Sequence, residues 1–209
     1  MKKNSIREIY CNESQHIIII DNYDSFTHLI QYYLKQLSSR VSIIKNDDPC
    51  LKHLESLSPT HLILSPGPGN PTDAGFTLEV IQQYHKTYPM LGLCLGHQSI
   101  AQFFGARIIH APSAVHGKCS LISHTGQGIF LDIPPDFKAM RYHSLVIDPS
   151  TLPDVCEITA WTCEGESQKI IMAFQHRDYP LFGVQYHPEA VLTEHGLSLL
   201  RNFIFLFAS

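Results

Sequence analysis

The sequence is poor in charge. Only 16% of its residues are Asp, Glu, Lys or Arg, and the formal net charge is −4. Beyond Lys2 and Lys3 there is no basic cluster, so nothing marks a nucleic-acid surface. Long apolar runs are also missing. "HIIIID" and "LLRNFIFLFAS" fall short of membrane length, and the second carries Arg201 and Asn202, so no membrane segment is expected. None of the six cysteines forms C-x-x-C, and no H-x-x-x-H or H-E-x-x-H groups the thirteen histidines. These absences argue against a zinc cluster or any other metal site and predict free thiols in a reducing cytoplasm. The N-terminal "MKKNSIREIYCNESQ" lacks an apolar core and a cleavage site, so it reads as an extension over 1–15 rather than a signal peptide. No repeat, low-complexity tract or linker divides the remainder.

What is present suits one domain over 16–209, with 44% of the 209 residues hydrophobic. The first half alternates strand and helix. Strands are expected at Ile17–Ile20, Val41–Ile44, His61–Leu64 and Met90–Leu93. Helices are expected at Ser25–Leu37, Leu51–Leu57, Thr77–His85 and Leu95–Phe104. The second half reads as short strands at Ala106–His110, Lys118–Ser123, Ala139–Arg141, Glu157–Thr162, Ile170–Gln175 and Gly183–Gln185, closed by a helix from Glu194 to about Phe205. The pattern predicts an α/β fold: an open, mostly parallel, flavodoxin-like sheet with helices on both faces and added edge strands.

Three stretches carry chemistry. "GLCLG", Gly92 to Gly96, stands between a strand and a helix and has the form of a nucleophile elbow. There the Cys94 thiol lies at a helix N-terminus, which favours the thiolate, and the Leu95 N–H points where an oxyanion would form. Gln98 shares the helix face with Cys94 and offers an amide to a polar substrate group. In "GVQYHPEA" the two-residue spacing of His187 and Glu189 in an extended segment turns both side chains the same way, as a base and its orienting carboxylate require. "LSPGPGNP" follows a parallel strand, where α/β folds bind ligands, and its Gly67 N–H is a second oxyanion donor. Each stretch also has a plain structural reading: a buried cysteine between packing glycines, a surface turn, and a loop. Asp24 or Ser25 reads as a helix N-cap, His97 as a packing residue, and His143 as a support for nearby backbone. Cys11, Cys50, Cys119, Cys156 and Cys163 read as structural.

Together and in this order, "LGLCLGHQ", "SPGPGNP" and "GVQYHPE" resemble the class I, triad-type glutamine amidotransferases over about His16 to Phe207. The resemblance implies that Cys94 attacks the side-chain amide of L-glutamine, with His187 as base and then acid and Glu189 orienting it. It implies an oxyanion hole from the N–H groups of Gly67 and Leu95. It also implies glutamine held by Gly67, Pro68, Gly69, Gln98 and the backbone at Ser144 and Leu145, and it calls for no cofactor. "DNYDSFTHLIQYYL", "MRYHSLVID", "AVHGKCSLISH" and "LTEHGLSLLRNF" are similar to the component II subunits of anthranilate and aminodeoxychorismate synthases. "TAWTCEGE" and "HRDYPLFGVQYHPE" look closer to the aminodeoxychorismate (p-aminobenzoate) type.

A chain ending after a glutaminase domain would pass ammonia to a chorismate-binding component I, as a heterodimer or higher assembly, with His116-Gly117-Lys118 a candidate contact. Two departures stand out: Ala190 replaces a usual Ser, and Tyr186 a usual Phe. The competing reading of the same elbow is a stand-alone cysteine hydrolase of γ-glutamyl substrates, against which Gln98 and "RYHSL" argue.

Overall fold

The computed structural model describes residues 15–164 and 168–206. The expected extension therefore lies outside the described residues, apart from Gln15. That residue is buried, and its amide donates to the Ile204 carbonyl at 3.4 Å.

The first half runs β1 (His16–Asp21), α1 (Thr27–Leu34), β2 (Arg40–Lys45), β3 (His61–Leu64), α2 (Thr77–Tyr84), β4 (Met90–Leu93) and α3 (Leu95–Phe103). The second half adds β5 (Ile108–His124), β6 (Asp136–Ile147), β7 (Cys156–Glu164), β8 (Gln168–His176), β9 (Leu181–Val184) and α4 (Gly196–Phe205). The strands form one sheet in the order β2-β1-β3-β4-β9-β8-β7-β5-β6.

The four isoleucines of β1 show why the sheet is covered on both faces. Ile17 and Ile19 join Ile30 and Leu34 of α1 and Leu199 and Phe203 of α4. Ile18 and Ile20 point the other way, to Val80 and Ile81 of α2 and Ile100 and Ala101 of α3. All four are fully buried, each contributing about 2 kcal/mol of apolar burial. An unbroken β-branched run is what a strand apolar on both faces requires.

Several elements differ from the sequence expectation. The sheet itself follows the expectation: the five strands from β2 to β9 in the sheet order are parallel, and the other four are added at one edge and pair antiparallel. The two expected strands Ala106–His110 and Lys118–Ser123 are one 17-residue strand, β5, whose pairing with β6 shifts register between His110 and Val115 and again between His116 and Lys118. Those irregularities broke the alternation that would have shown one strand. The helix expected at Leu51–Leu57 starts two residues earlier, at Pro49, and is a 3-10 helix kinked at His53. α1 is shorter than Ser25–Leu37 and has no side-chain cap; the Asp24 carboxylate instead accepts from the Phe26 N–H at 2.7 Å.

The topology has one consequence for chemistry. β1, β3, β4 and β9 are adjacent and parallel, so the segments that follow them emerge at the same sheet edge. β2 and β3 leave β1 on opposite sides, which makes this edge a topological switch point, where open α/β sheets bind ligands. β6 curls back to the same place, through a bridge between Met140 and His187.

Tyr186 is the one residue of the β9 exit whose polarity the fold does not use. It packs on the ring of Phe137, fully buried, and among the described residues its hydroxyl has no hydrogen-bond partner. Tyr186→Phe is expected to raise unfolding free energy by about 1 kcal/mol in urea titration, because a desolvated, unpaired hydroxyl is removed. Destabilisation by that substitution would mean the hydroxyl is satisfied in solution.

Candidate active site

A single residue, Cys94, separates β4 from α3, and it takes φ 50° and ψ −99°. Positive φ is strained for a side-chain-bearing residue and is the mark of the elbow turn. The turn is held on both sides: Cys94 N–H donates to the Val184 carbonyl at 2.8 Å, and its own carbonyl accepts from Gln98 N–H at 3.1 Å. The flanking glycines serve close approach. A Cβ on Gly92 would collide with the Gly96 backbone, and one on Gly96 with the Leu64 carbonyl. α3 thus starts pressed against β3 and β4, and the thiol is left almost covered, at 6% exposure.

His187 meets this thiol from the segment after β9. The structure brings His187 and Glu189 together, but not in extended chain. β9 ends at Val184, and residues 188–189 form a turn in which Ala190 N–H donates to the His187 carbonyl at 3.2 Å. Within it, His187 Nδ1 donates to Glu189 Oε1 at 2.6 Å, and both residues are buried. The Thr193 hydroxyl donates to the His187 carbonyl at 2.7 Å and accepts from Met140 N–H at 3.0 Å, fixing the turn to β6. Residue 190 contributes no hydroxyl, and among the described residues Glu189 Oε2 has no hydrogen-bond partner. The rings of Phe26 and Tyr142 pack against the imidazole at centroid distances of 5.3 and 5.1 Å. Burial opposes its charge, but the adjacent Cys94 and Glu189 outweigh burial, and the His187 pKa is raised above the usual histidine value. With Nδ1 committed to Glu189, Nε2 is the ring atom left for the thiol.

The loop after β3 is stitched to the end of β1: Asn22 N–H donates to Ser65 Oγ, and the Asn22 amide to the Ser65 carbonyl, each at 2.8 Å. Gly67 has no room for a side chain, since a Cβ would lie 2.6 Å from Asn22 Cβ and 2.8 Å from Leu95 Cδ2. It therefore sits beside the first residue of α3. Pro68 and Gly69 are exposed on the outer part of the loop. Gln98 is buried, and its amide nitrogen donates to the Leu145 carbonyl and to Gln185 Oε1, both at 3.0 Å. Its amide hydrogens are thus spent inside the chain, and what it can offer a ligand is its oxygen. Ser144 is exposed beside Leu145 on β6.

Sequence reasoning missed Gln185, Phe26, Tyr142 and Thr193. Gln185 is fully buried, and its amide nitrogen reaches Cys94 Sγ at 3.6 Å. In sequence it looked like the last residue of a strand, with no period to mark it. His97 packs on Phe174 at 5.1 Å, and His143 Nδ1 bonds the Leu145 carbonyl at 3.1 Å, matching their expected supporting places. Burial pushes the pKa of each down to about 3, with neighbouring His143 adding to the effect on His97 and Arg141 to that on His143, so both are neutral. Among the described residues no three His, Cys, Asp or Glu side chains are placed to hold a metal.

A thiol on a strained elbow, with a carboxylate-held imidazole beside it, is equipped for acyl transfer. The family model for class-I glutamine amidotransferases matches residues 18–207. The chain belongs to that family. It is 47% identical to aminodeoxychorismate synthase component 2 of Klebsiella aerogenes, over 90% of this chain and 98% of that one. Against the aminodeoxychorismate/anthranilate synthase component 2 of Bacillus subtilis it is 46% identical, over 90% and 95%. It spans only 32% of a longer relative, the bifunctional protein TrpGD of Thermotoga maritima, at 44% identity. The fold of this amidotransferase superposes on a solved Thermotoga maritima glutamine amidotransferase with a TM-score of 0.70, covering 92% and 97% of the two chains at 15% identity.

The geometry predicts how His187 titrates. In wild type its imidazole should stay protonated through neutral pH in ¹⁵N NMR, and Glu189→Gln should lower its midpoint by about one to three pH units. A raised folded value gives a contribution to stability that is complete below about pH 6.5 and is lost as pH rises through the folded midpoint. An unchanged midpoint in Glu189→Gln would show that the 2.6 Å contact does not govern the imidazole.

Proposed function

We propose that this chain is the glutaminase component, component 2, of an aminodeoxychorismate/anthranilate synthase, with residues 16–209 as its amidotransferase domain. The observation that carries the chemistry is the meeting of the Cys94 elbow with the buried His187–Glu189 pair. Cys94 Sγ attacks the side-chain carbonyl carbon of glutamine. The resulting oxyanion is held by the N–H groups of Gly67 and Leu95, each such donor being worth about 10²–10³ in rate. His187 protonates the leaving nitrogen, and ammonia departs from a γ-glutamyl thioester. His187 then takes a proton from water, which attacks the thioester carbonyl, and glutamate leaves as the thiol is restored. Gln98 Oε1 and the backbone at Ser144 and Leu145 hold the amino acid end of glutamine, beside the loop of Gly67, Pro68 and Gly69. The chemistry needs no cofactor in this chain.

Ammonia goes to a chorismate-using component 1 docked over the site. Val191 and Leu192, directly after the His187 turn, are 83% and 64% exposed, and the Leu192 carbonyl lies 3.8 Å from the Cys119 thiol on β5, two residues from exposed Leu121. This apolar rim supports docking there. His116 packs on Tyr142 at 5.3 Å, and Tyr142 packs on His187, which supplies a path from a docked partner to the imidazole. The thiols of Cys50, Cys94, Cys119, Cys156 and Cys163 are free, which suits a reducing cytoplasm, and among the described residues no helix is long and apolar enough to cross a membrane.

Two outcomes are expected with a purified component 1 and chorismate. Glutamine turnover should rise on adding both, and equal turnover without them would count against the coupling. Cys94→Ser should lower glutamine-dependent product by about 10⁴-fold or more while ammonia-dependent product persists. Loss of the ammonia-dependent product as well would make Cys94 a structural residue.

A further inference from the structure

Gln185 is the first residue after β9, and its backbone N–H donates to the Met172 carbonyl of β8 at 2.8 Å. Its side chain has no exposure to solvent, so every polar contact it makes is internal. An amide is ambiguous between its oxygen and its nitrogen until a neighbour of known polarity decides. Here the Leu145 carbonyl decides. It can only accept, so the group that Gln98 presents to it at 3.0 Å is the NH₂. The same NH₂ lies 3.0 Å from Gln185, which must therefore present its oxygen to Gln98. That leaves the Gln185 NH₂ facing Cys94 Sγ at 3.6 Å, an ordinary N–H···S distance.

The carbonyl that sets this polarity is itself fixed. Arg141 is buried, always protonated, and donates from Nε to His143 Nε2 at 3.0 Å. His143 Nε2 is thus an acceptor, and its proton sits on Nδ1, which donates to the Leu145 carbonyl at 3.1 Å. Arg141 also donates to Ser120 Oγ on β5 at 3.0 Å. Hydrogen-bond direction is consequently determined along the whole path from β5 to the sulfur. Reversing Gln185 would set its NH₂ against the NH₂ of Gln98, two donors facing each other, and aim its carbonyl oxygen at the sulfur.

We propose that Gln185 is a hydrogen-bond donor to the nucleophile, holding the Cys94 sulfur in place and favouring its thiolate, with its orientation imposed by the Leu145 carbonyl through Gln98. This rests on reading Cys94 as the nucleophile. A buried amide used only as filler would be replaceable by an apolar side chain of similar length, and that difference is testable.

The test is the pH dependence of Cys94 alkylation by iodoacetamide, read on the Cys94 peptide by mass spectrometry so that Cys50, Cys119 and Cys163 do not interfere. It needs neither glutamine nor a partner, so it fails or succeeds independently of the glutaminase reading. In Gln185→Met the donor is gone, and the midpoint of alkylation should move up by about one pH unit, the effect of losing one charge-assisted hydrogen bond. Gln185→Glu keeps an acceptor for Gln98 and, once ionised, sets a carboxylate against the sulfur, so in the folded variant it should shift the midpoint further in the same direction. With component 1 and chorismate present, both variants should lose at least about tenfold in kcat for glutamine with KM little changed, because the bond serves the nucleophile and not the bound amino acid. Midpoints equal to wild type in the folded Met and Glu variants would overturn the proposal, as would a loss confined to KM.

Discussion

Everything at the site depends on one strained peptide turn. Cys94 has positive φ and carries a side chain, and it holds that conformation because Val184 and Gln98 bond its backbone on either side. Gly92 and Gly96 then let α3 begin in contact with β3. Remove that closeness and Leu95 no longer stands beside Gly67, nor Gln98 under the Leu145 carbonyl. Strain of this kind persists only where the surroundings over-determine it, and here four adjacent parallel strands do so. The large apolar core has a functional role in this sense: it keeps a locally unfavourable conformation rigid.

The site sorts its titratable groups by their surroundings. His187, beside Cys94 and paired with Glu189, is drawn toward the charged form. His97 and His143, buried and near other cations or imidazoles, are held neutral. Three histidines in one small region thus have different work, and none of the difference comes from the imidazole itself. The aromatic rings of Phe26 and Tyr142 keep water from the His187–Glu189 contact, which strengthens it. Tyr142 also reaches outward to exposed His116, so the same wall that shields the imidazole continues to the surface.

Much of this was readable in the residue pattern, and the parts that were not share a cause. Strands β1, β3 and β4 and helices α2 and α3 announced themselves through continuous or 3.6-period apolar spacing. Cys94, His187 and Glu189 stood in local motifs. β5 reads as two strands in sequence because its register slips twice, and a slip erases alternation. The turn at His187 reads as extended chain in sequence because the two-residue spacing of His and Glu is compatible with both. Gln185, Thr193, Phe26 and Tyr142 had no local signature: each acts on a residue far away in sequence or through a contact that only the curled sheet creates. The direction of the Gln98 amide belongs to the same class, since it follows from the Leu145 carbonyl on a distant strand.

In the proposed reaction the elbow thiol carries the glutamyl group. This is tested most directly by acid-quenching the chain during turnover of glutamine with component 1 and chorismate, then mapping covalent adducts by peptide mass spectrometry. A γ-glutamyl group on Cys94, absent in Glu189→Gln or formed there much more slowly, is the predicted result. Glutamine consumption with no adduct on Cys94, or with the glutamyl group on another cysteine, would contradict it.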